Sequence, residues 1–145
     1  FLMIGDLPEE LGRAGCSNLT VLPAMQLEDL ARQLATCHLG LCLLKELPAM
    51  KKAFPAKAYD FLGVGLPMFV GPEGELADAV EKMGFGVSFA KVSPEEVAQS
   101  IVGLKHDSAR WSLLRDQVLR HRGKFGRRKL ASFHFSSIVG NLKKA

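Results

Sequence analysis

The chain has 145 residues, 48% of them hydrophobic and 23% charged, with a formal net charge of +4. These values suit one globular domain with a single core and exclude a chain too polar to fold. No apolar run reaches the roughly 18 residues that a membrane-spanning helix needs. The start FLMIGDLPEE lacks the basic flank and small-residue cleavage site of a signal peptide, so a cytoplasmic location is expected. Because the sequence opens on Phe1 in an apolar, strand-like run, it is expected to be a fragment with further sequence upstream.

In chain order, short apolar runs alternate with amphipathic stretches. FLMI, LTVL, LGLCLL, PMFV and GVSF are four- to six-residue runs of the kind buried on both faces of a parallel sheet. LEDLARQLATC puts Leu27, Leu30, Ala31 and Leu34 on one helical face. GELADAVEKMG groups Leu76, Ala79, Val80 and Met83 and stops at Gly84. Ser93-Pro94-Glu95-Glu96 is a capping box with proline at the first helical position, opening a helix to about Leu104. A further helix begins near Asp107 or Ser108 with Trp111, Leu114 and Val118 on one face, and a basic terminal helix is expected over residues 126–145. Strands alternating with helices imply right-handed crossovers. The expected fold is α/β, a Rossmann-like doubly wound parallel sheet of about five strands with helices on both faces.

Such sheets bind ligands outside the carboxyl ends of their strands, which directs attention to the loops Gly5–Pro8, Pro23–Gln26, Lys45–Phe54, Gly71–Glu75 and Ala90–Ser93. The longest delivers the chain into FPAKAYDFLGVGLP, residues 54–67. Pro55 suits a first helical turn, where the amides of Ala56, Lys57 and Ala58 would be free to bind an anion, most naturally a phosphate. Lys57 adds a mobile cation. Asp60 lies nearly one turn on, and a carboxylate accepts hydrogen bonds from two neighbouring hydroxyls, as on a ribose. The structural alternative is an ordinary i, i+3 pair on a surface helix, with Tyr59 and Leu62 turned to the core. Gly63 and Gly65 would end the helix and return the chain to the sheet.

Other chemistries find less support. The cysteines, Cys16, Cys37 and Cys42, are odd in number and lie in apolar elements, so buried thiols are expected. The histidines at 38, 106, 121 and 134 are scattered, and no metal site is expected. Ser88 falls inside a strand, where a nucleophile elbow would need a turn into a helix. No GxGxxG or GxxxxGK[ST] run occurs. From Leu119 onward there are eight Lys or Arg residues and no acid. That tail reads as a solvated face, a contact with an anionic membrane surface, or a contact with a neighbouring domain. Its Phe125, Phe133 and Phe135 have helical rather than strand spacing, so nucleic acid is not an expected partner.

Five segments together carry a resemblance: IGDLP at 4–8, NLTVLP at 18–23, PAKAYDFLGVGLP at 55–67, GELADAVEKMGFG at 74–86 and PEEVAQSI at 94–101. In this order and at these separations, the chain from Phe1 to about Phe125 resembles the carboxyl-terminal, donor-binding domain of GT-B fold glycosyltransferases, in particular the retaining family 4. The resemblance implies half of a GT-B fold: a single donor-binding domain over 1–145, without its upstream strand and without the amino-terminal acceptor domain. It implies a nucleotide-diphosphate sugar donor, glycosyl transfer in polysaccharide or glycoconjugate biosynthesis, and no metal or other cofactor; the membrane reading of the basic tail would make the cytoplasmic placement peripheral, at the inner membrane face. The implied donor-binding residues are Asp60 on the ribose, Pro55, Ala56, Lys57 and Ala58 at the diphosphate, Ala24 and Met25 at the base, and Gly5, Gly74 and Glu75 around the pocket.

The chain also departs from the family pattern. Lys52 stands where many members carry a sugar-contacting glutamate, Asp60 replaces a glutamate, and Ala56 replaces a serine. With the acceptor domain and the family's basic phosphate-binding pair outside these residues, they are expected to bind donor weakly and to turn nothing over alone. The alternative function is a non-catalytic α/β domain that binds a nucleotide or a protein partner.

Overall fold

A parallel pair of strands cannot be closed by a tight turn, so each strand must be followed by a crossover long enough to hold a helix. The computed structural model, which describes residues 1–6 and 17–126, follows that rule in two compact units, Phe1–Gln33 and Leu34–Ala145. In the first, β1 (Leu2–Ile4) pairs in parallel with β2 (Thr20–Leu22), Met3 opposite Val21. Helix α1 (Leu27–Ala35) carries the chain into the second unit, with an Asp29–Arg32 pair on its exposed side.

The second unit holds a three-stranded parallel sheet, β3 (Gly40–Leu43), β4 (Met68–Gly71) and β5 (Gly86–Ser88), in that order. The crossovers are α2 (Ala56–Val64) and α3 (Glu75–Met83). Two more helices follow β5, α4 (Pro94–Lys105) and α5 (Ser108–His121). Every residue of β4 is buried, as expected of a central strand covered on both faces. On one face Phe69 and Phe89 meet Val97 and Leu104 of α4 and Leu114 of α5, with Leu39, Leu41 and Leu43 packed against them. The alternate positions of β3 face the other way, and there the ring of Phe61 from α2 lies where a side chain on Gly40 would be. Helices therefore cover both faces of this sheet.

The α/β class and the parallel strands agree with the sequence pattern, but the single five-stranded sheet does not. Among the described residues the strands pair as two and three. Apolar runs announce strands that will be buried, yet nothing in their period names their neighbours.

Helix ends follow local chemistry. Ser93 accepts the amide of Glu96, and its hydroxyl donates to Glu95; the return bond expected from the Glu96 side chain in a capping box is thus replaced by a contact to its neighbour. Asp107 caps α5 by accepting the amide of Arg110 at 2.8 Å. Gly84 closes α3 in the left-handed region, its amide on the Val80 carbonyl. Helix α2 ends at Gly65, with φ 76°, not at Gly63. Gly65 donates to the Leu62 carbonyl and Leu66 to that of Phe61, the paired bonds of a Schellman motif. Gly63 sits two residues earlier, inside the last helical turn. The terminal helix expected over 126–145 lies outside the described residues from 127 onward.

Gly103 provides a simple check on α4. It is exposed in the helix, and a methyl group there would meet nothing within 4 Å. Gly103→Ala is expected to stabilise the unit by about 0.5–1 kcal/mol through reduced freedom of the unfolded chain. A denaturant midpoint that rises with unchanged slope would register it.

Candidate functional site

The loop that leaves β3 is ordered by its own backbone. The Leu47 amide donates to the Lys45 carbonyl, Met50 to Leu47 and Ala53 to Met50, winding Pro48–Lys52 into a 3-10 turn. Lys51 then reaches Glu73 in the loop after β4, Nζ to Oε1 at 2.5 Å. The hydrogen bond to Glu73, followed by its charge, raises the Lys51 ammonium above its ordinary range, and the same contact lowers the Glu73 carboxyl.

The sign of each shift fixes a pH window. The Glu73 contribution is present above the ordinary carboxyl value and lost as pH falls through the folded one. The Lys51 contribution is present below the ordinary lysine value and lost as pH rises through the folded one. Both groups face solvent, so the pair is expected to matter little to global stability. Glu73→Gln should leave the melting temperature at pH 7 within the spread of surface substitutions.

Beneath this pair the loops approach closely. Gly74 caps α3 with φ 154° and ψ −175°, and a Cβ on it would lie 2.6 Å from the Lys51 carbonyl oxygen. The cavity left at the carboxyl ends of β3 and β4, lined by Cys42, Met50, Ala53, Val70, Gly74 and Leu76 among others, measures about 10 Å³. That is room for about one water. Cys42 is fully buried in it, and burial pushes its thiol up while the charge of Lys57 works in the opposite direction.

Helix α2 begins at Ala56, with Pro55 as its extended cap at φ −62° and ψ 149°; the proline stands one position before the first helical residue, where it was expected. Ala56 and Lys57 are exposed in the first turn, where helix geometry gives an amide no acceptor behind it. Ala58 differs from expectation. Its side chain is buried and its amide donates to the Pro55 carbonyl at 3.0 Å, because the first turn tightens onto an i→i−3 bond. Two amides, not three, therefore remain for an anion.

Asp60 is half-buried on α2 and lines a cleft of about 180 Å³ with Tyr59, Leu62, Gly63, Arg122, Phe125 and Gly126. Arg122, just after α5, donates to the Gly63 carbonyl at 3.4 Å. Phe125 stacks on Phe54 at 5.4 Å and Phe54 meets Tyr59 at 4.7 Å, giving the neighbourhood an aromatic wall. Arg122 and Phe125 were not singled out for this region from sequence; they lie some 60 residues from Asp60, and no local spacing links them.

The remaining expected residues are divided. Pro55, Ala56, Lys57, Ala58, Asp60, Gly74 and Glu75 belong to the second unit, with Glu75 exposed at the start of α3. Gly5, Ala24 and Met25 belong to the first. There Gly5, at φ 119°, donates to the Leu22 carbonyl, while Ala24 is exposed and Met25 half-buried after β2. Lys52 ends the 3-10 turn exposed. Ser88 lies in β5 and donates to Glu81. Cys37 and Cys42 are free thiols, and Cys16 is outside the described residues. Among the described residues no three His, Cys, Asp or Glu groups cluster for a metal, and no helix is long and apolar enough to cross a membrane.

No family model, curated protein or solved structure matches the chain.

Proposed function

We propose that the chain is a nucleotide-sugar donor-binding domain of a GT-B glycosyltransferase, resembling retaining family 4. The observation that carries the reading is α2: a helix opening just after the carboxyl-terminal loop of a parallel strand, Pro55 as its cap, and Asp60 one turn in, on the wall of a cleft. The exposed first turn at Ala56 and Lys57 offers amides, a helix dipole and an ammonium to a diphosphate approaching from solvent. Asp60 offers a carboxylate to ribose hydroxyls.

The finer fold belongs to the same proposal. In a doubly wound sheet the strands run in the order 3-2-1-4-5-6. If the first of these lies outside residues 1–145, the others pair as two and as three, in parallel. The pairings β1–β2 and β3–β4–β5 have that form.

In the proposed mechanism, loss of the glycosyl group leaves added negative charge on the diphosphate while the sugar becomes oxocarbenium-like. Amides and a cation fixed at the α2 start stabilise that charge more in the transition state than in the ground state. Donor binding sits here, and the acceptor is held by an amino-terminal domain. The basic stretch from Arg120 onward suits that domain or an anionic membrane face.

Melting with UDP, GDP, dTDP and ADP tests the reading. A nucleotide at a hundred times its dissociation constant is expected to stabilise the fold by about 2.7 kcal/mol. Asp60→Ala should abolish the shift. If no nucleotide moves the full-length protein, the donor reading fails.

The roughly 10 Å³ cavity at the carboxyl ends of β3 and β4 favours the alternative of a non-catalytic α/β interaction domain. That alternative expects Asp60→Ala to act on stability alone.

A further inference from the structure

Pro55 stiffens the entry to α2. Its ring holds φ at −62°, and a residue before proline is confined to extended conformations, so the Phe54–Pro55 step has little freedom of its own. What remains to be set is the angle at which it meets the helix. Phe54 precedes the cap, Tyr59 is the fourth helical residue, and their rings meet at 4.7 Å. That is a hydrophobic staple, the contact that fixes a helix's entry angle.

The staple is itself held. Arg122–Phe125 winds into a 3-10 turn after α5, and Phe125 stacks on Phe54 with centroids 5.4 Å and planes 22° apart. Phe125 in turn meets Phe85 edge-on at 6.0 Å. Phe85 is fully buried just ahead of β5, so four rings in succession join the sheet to the first turn of α2. The same stretch of chain grips the far end of the helix. A Cβ on Gly65 would lie 2.7 Å from a methyl of Leu119, and Arg122 donates to the Gly63 carbonyl.

We infer that Phe125 is a positioning residue for the donor's diphosphate, acting through Phe54 on the direction of the Ala56 and Lys57 amides. The inference rests on the proposed donor site. An amide binds an anion only along its N–H direction, and the bond weakens steeply as the angle falls. Donors fixed in advance lose their advantage when their supporting contacts loosen. The Lys57 side chain follows a ligand on its flexible stem, whereas the two amides point wherever the entry angle sends them.

Phe125→Leu, which keeps apolar bulk and loses the ring, and Phe125→Tyr, which keeps the ring, test it in the full-length protein. Phe69→Leu, in the cluster with Phe89, controls for a general loss of stability. With UDP, GDP, dTDP and ADP titrated well below the melting temperature, Phe125→Leu is expected to raise the dissociation constant about tenfold. Phe125→Tyr and Phe69→Leu should leave it unchanged. The second readout needs no nucleotide. The Ala58 amide, bonded to the Pro55 carbonyl at 3.0 Å, reports local opening of the first turn and should exchange faster in Phe125→Leu alone. If Phe125→Leu only lowers the melting temperature, or if Phe69→Leu changes affinity and exchange equally, the inference is overturned. It is also overturned by weaker binding with Ala58 exchange unchanged, which would make Phe125 a direct contact, or by faster exchange with affinity unchanged. Faster Ala58 exchange with no nucleotide bound by any variant keeps Phe125 as the support of α2 and removes the donor site.

Discussion

Phe69→Ala is expected to cost about 3–5 kcal/mol, a large part of the roughly 5–15 kcal/mol by which a domain is stable. Phe69 is the second residue of β4, the central strand, and is 1% exposed. Its ring meets that of Phe89 edge-on at 5.6 Å and lies in the cluster that joins Val97 and Leu104 of α4 to Leu114 of α5. Truncation removes a ring from the cluster on which both helices pack, and three elements would have to move together to fill the space. Chemical denaturation should show a lower midpoint, and Phe69→Leu should recover a good part of the loss. A small loss for Phe69→Ala would mean that α4 and α5 are held to the sheet mainly by other contacts, such as the Trp111 indole donating to the His38 carbonyl at 2.8 Å.

Phe69 also marks how far the sequence could be read. PMFV announced a buried strand, and the neighbouring apolar runs and helical faces announced the rest, because burial on both faces and the 3.6-residue period are local properties of the chain. Ser93, Asp107 and Gly84 marked their helix ends for the same reason. Each acts on backbone groups within about a turn of itself.

What stayed hidden was non-local. The pairing of strands as two and three leaves no mark on any one run. The Lys51–Glu73 contact spans 22 residues, Arg122 to Gly63 spans 59, and Trp111 to His38 spans 73. At the candidate site Asp60 was legible as a carboxylate on a helix. The use of the Ala58 amide by Pro55 was not, since it depends on how tightly the first turn winds. The filling of the carboxyl end down to about 10 Å³ was also illegible, because it comes from a 3-10 turn laid across Gly74.

Gly86→Ala is expected to destabilise by about 3 kcal/mol, at the upper end of what overpacking costs. The position is ordinary in its backbone angles, so the reason is space. A Cβ on Gly86 would lie 1.9 Å from the Met68 carbonyl oxygen and 3.1 Å from a methyl of Val80. The first neighbour is backbone in the central strand, which cannot rotate away as a side chain would. To admit the methyl group, β5 must separate from β4 at the Met68–Gly86 pair, and α3 must retreat with Val80. The loss should therefore appear as faster exchange along β5 as well as a lower melting temperature. Gly103→Ala, the same chemical change in open space, should move stability the other way. Equal effects at the two sites would show that the close approach of β5 to β4 is not what holds glycine at position 86.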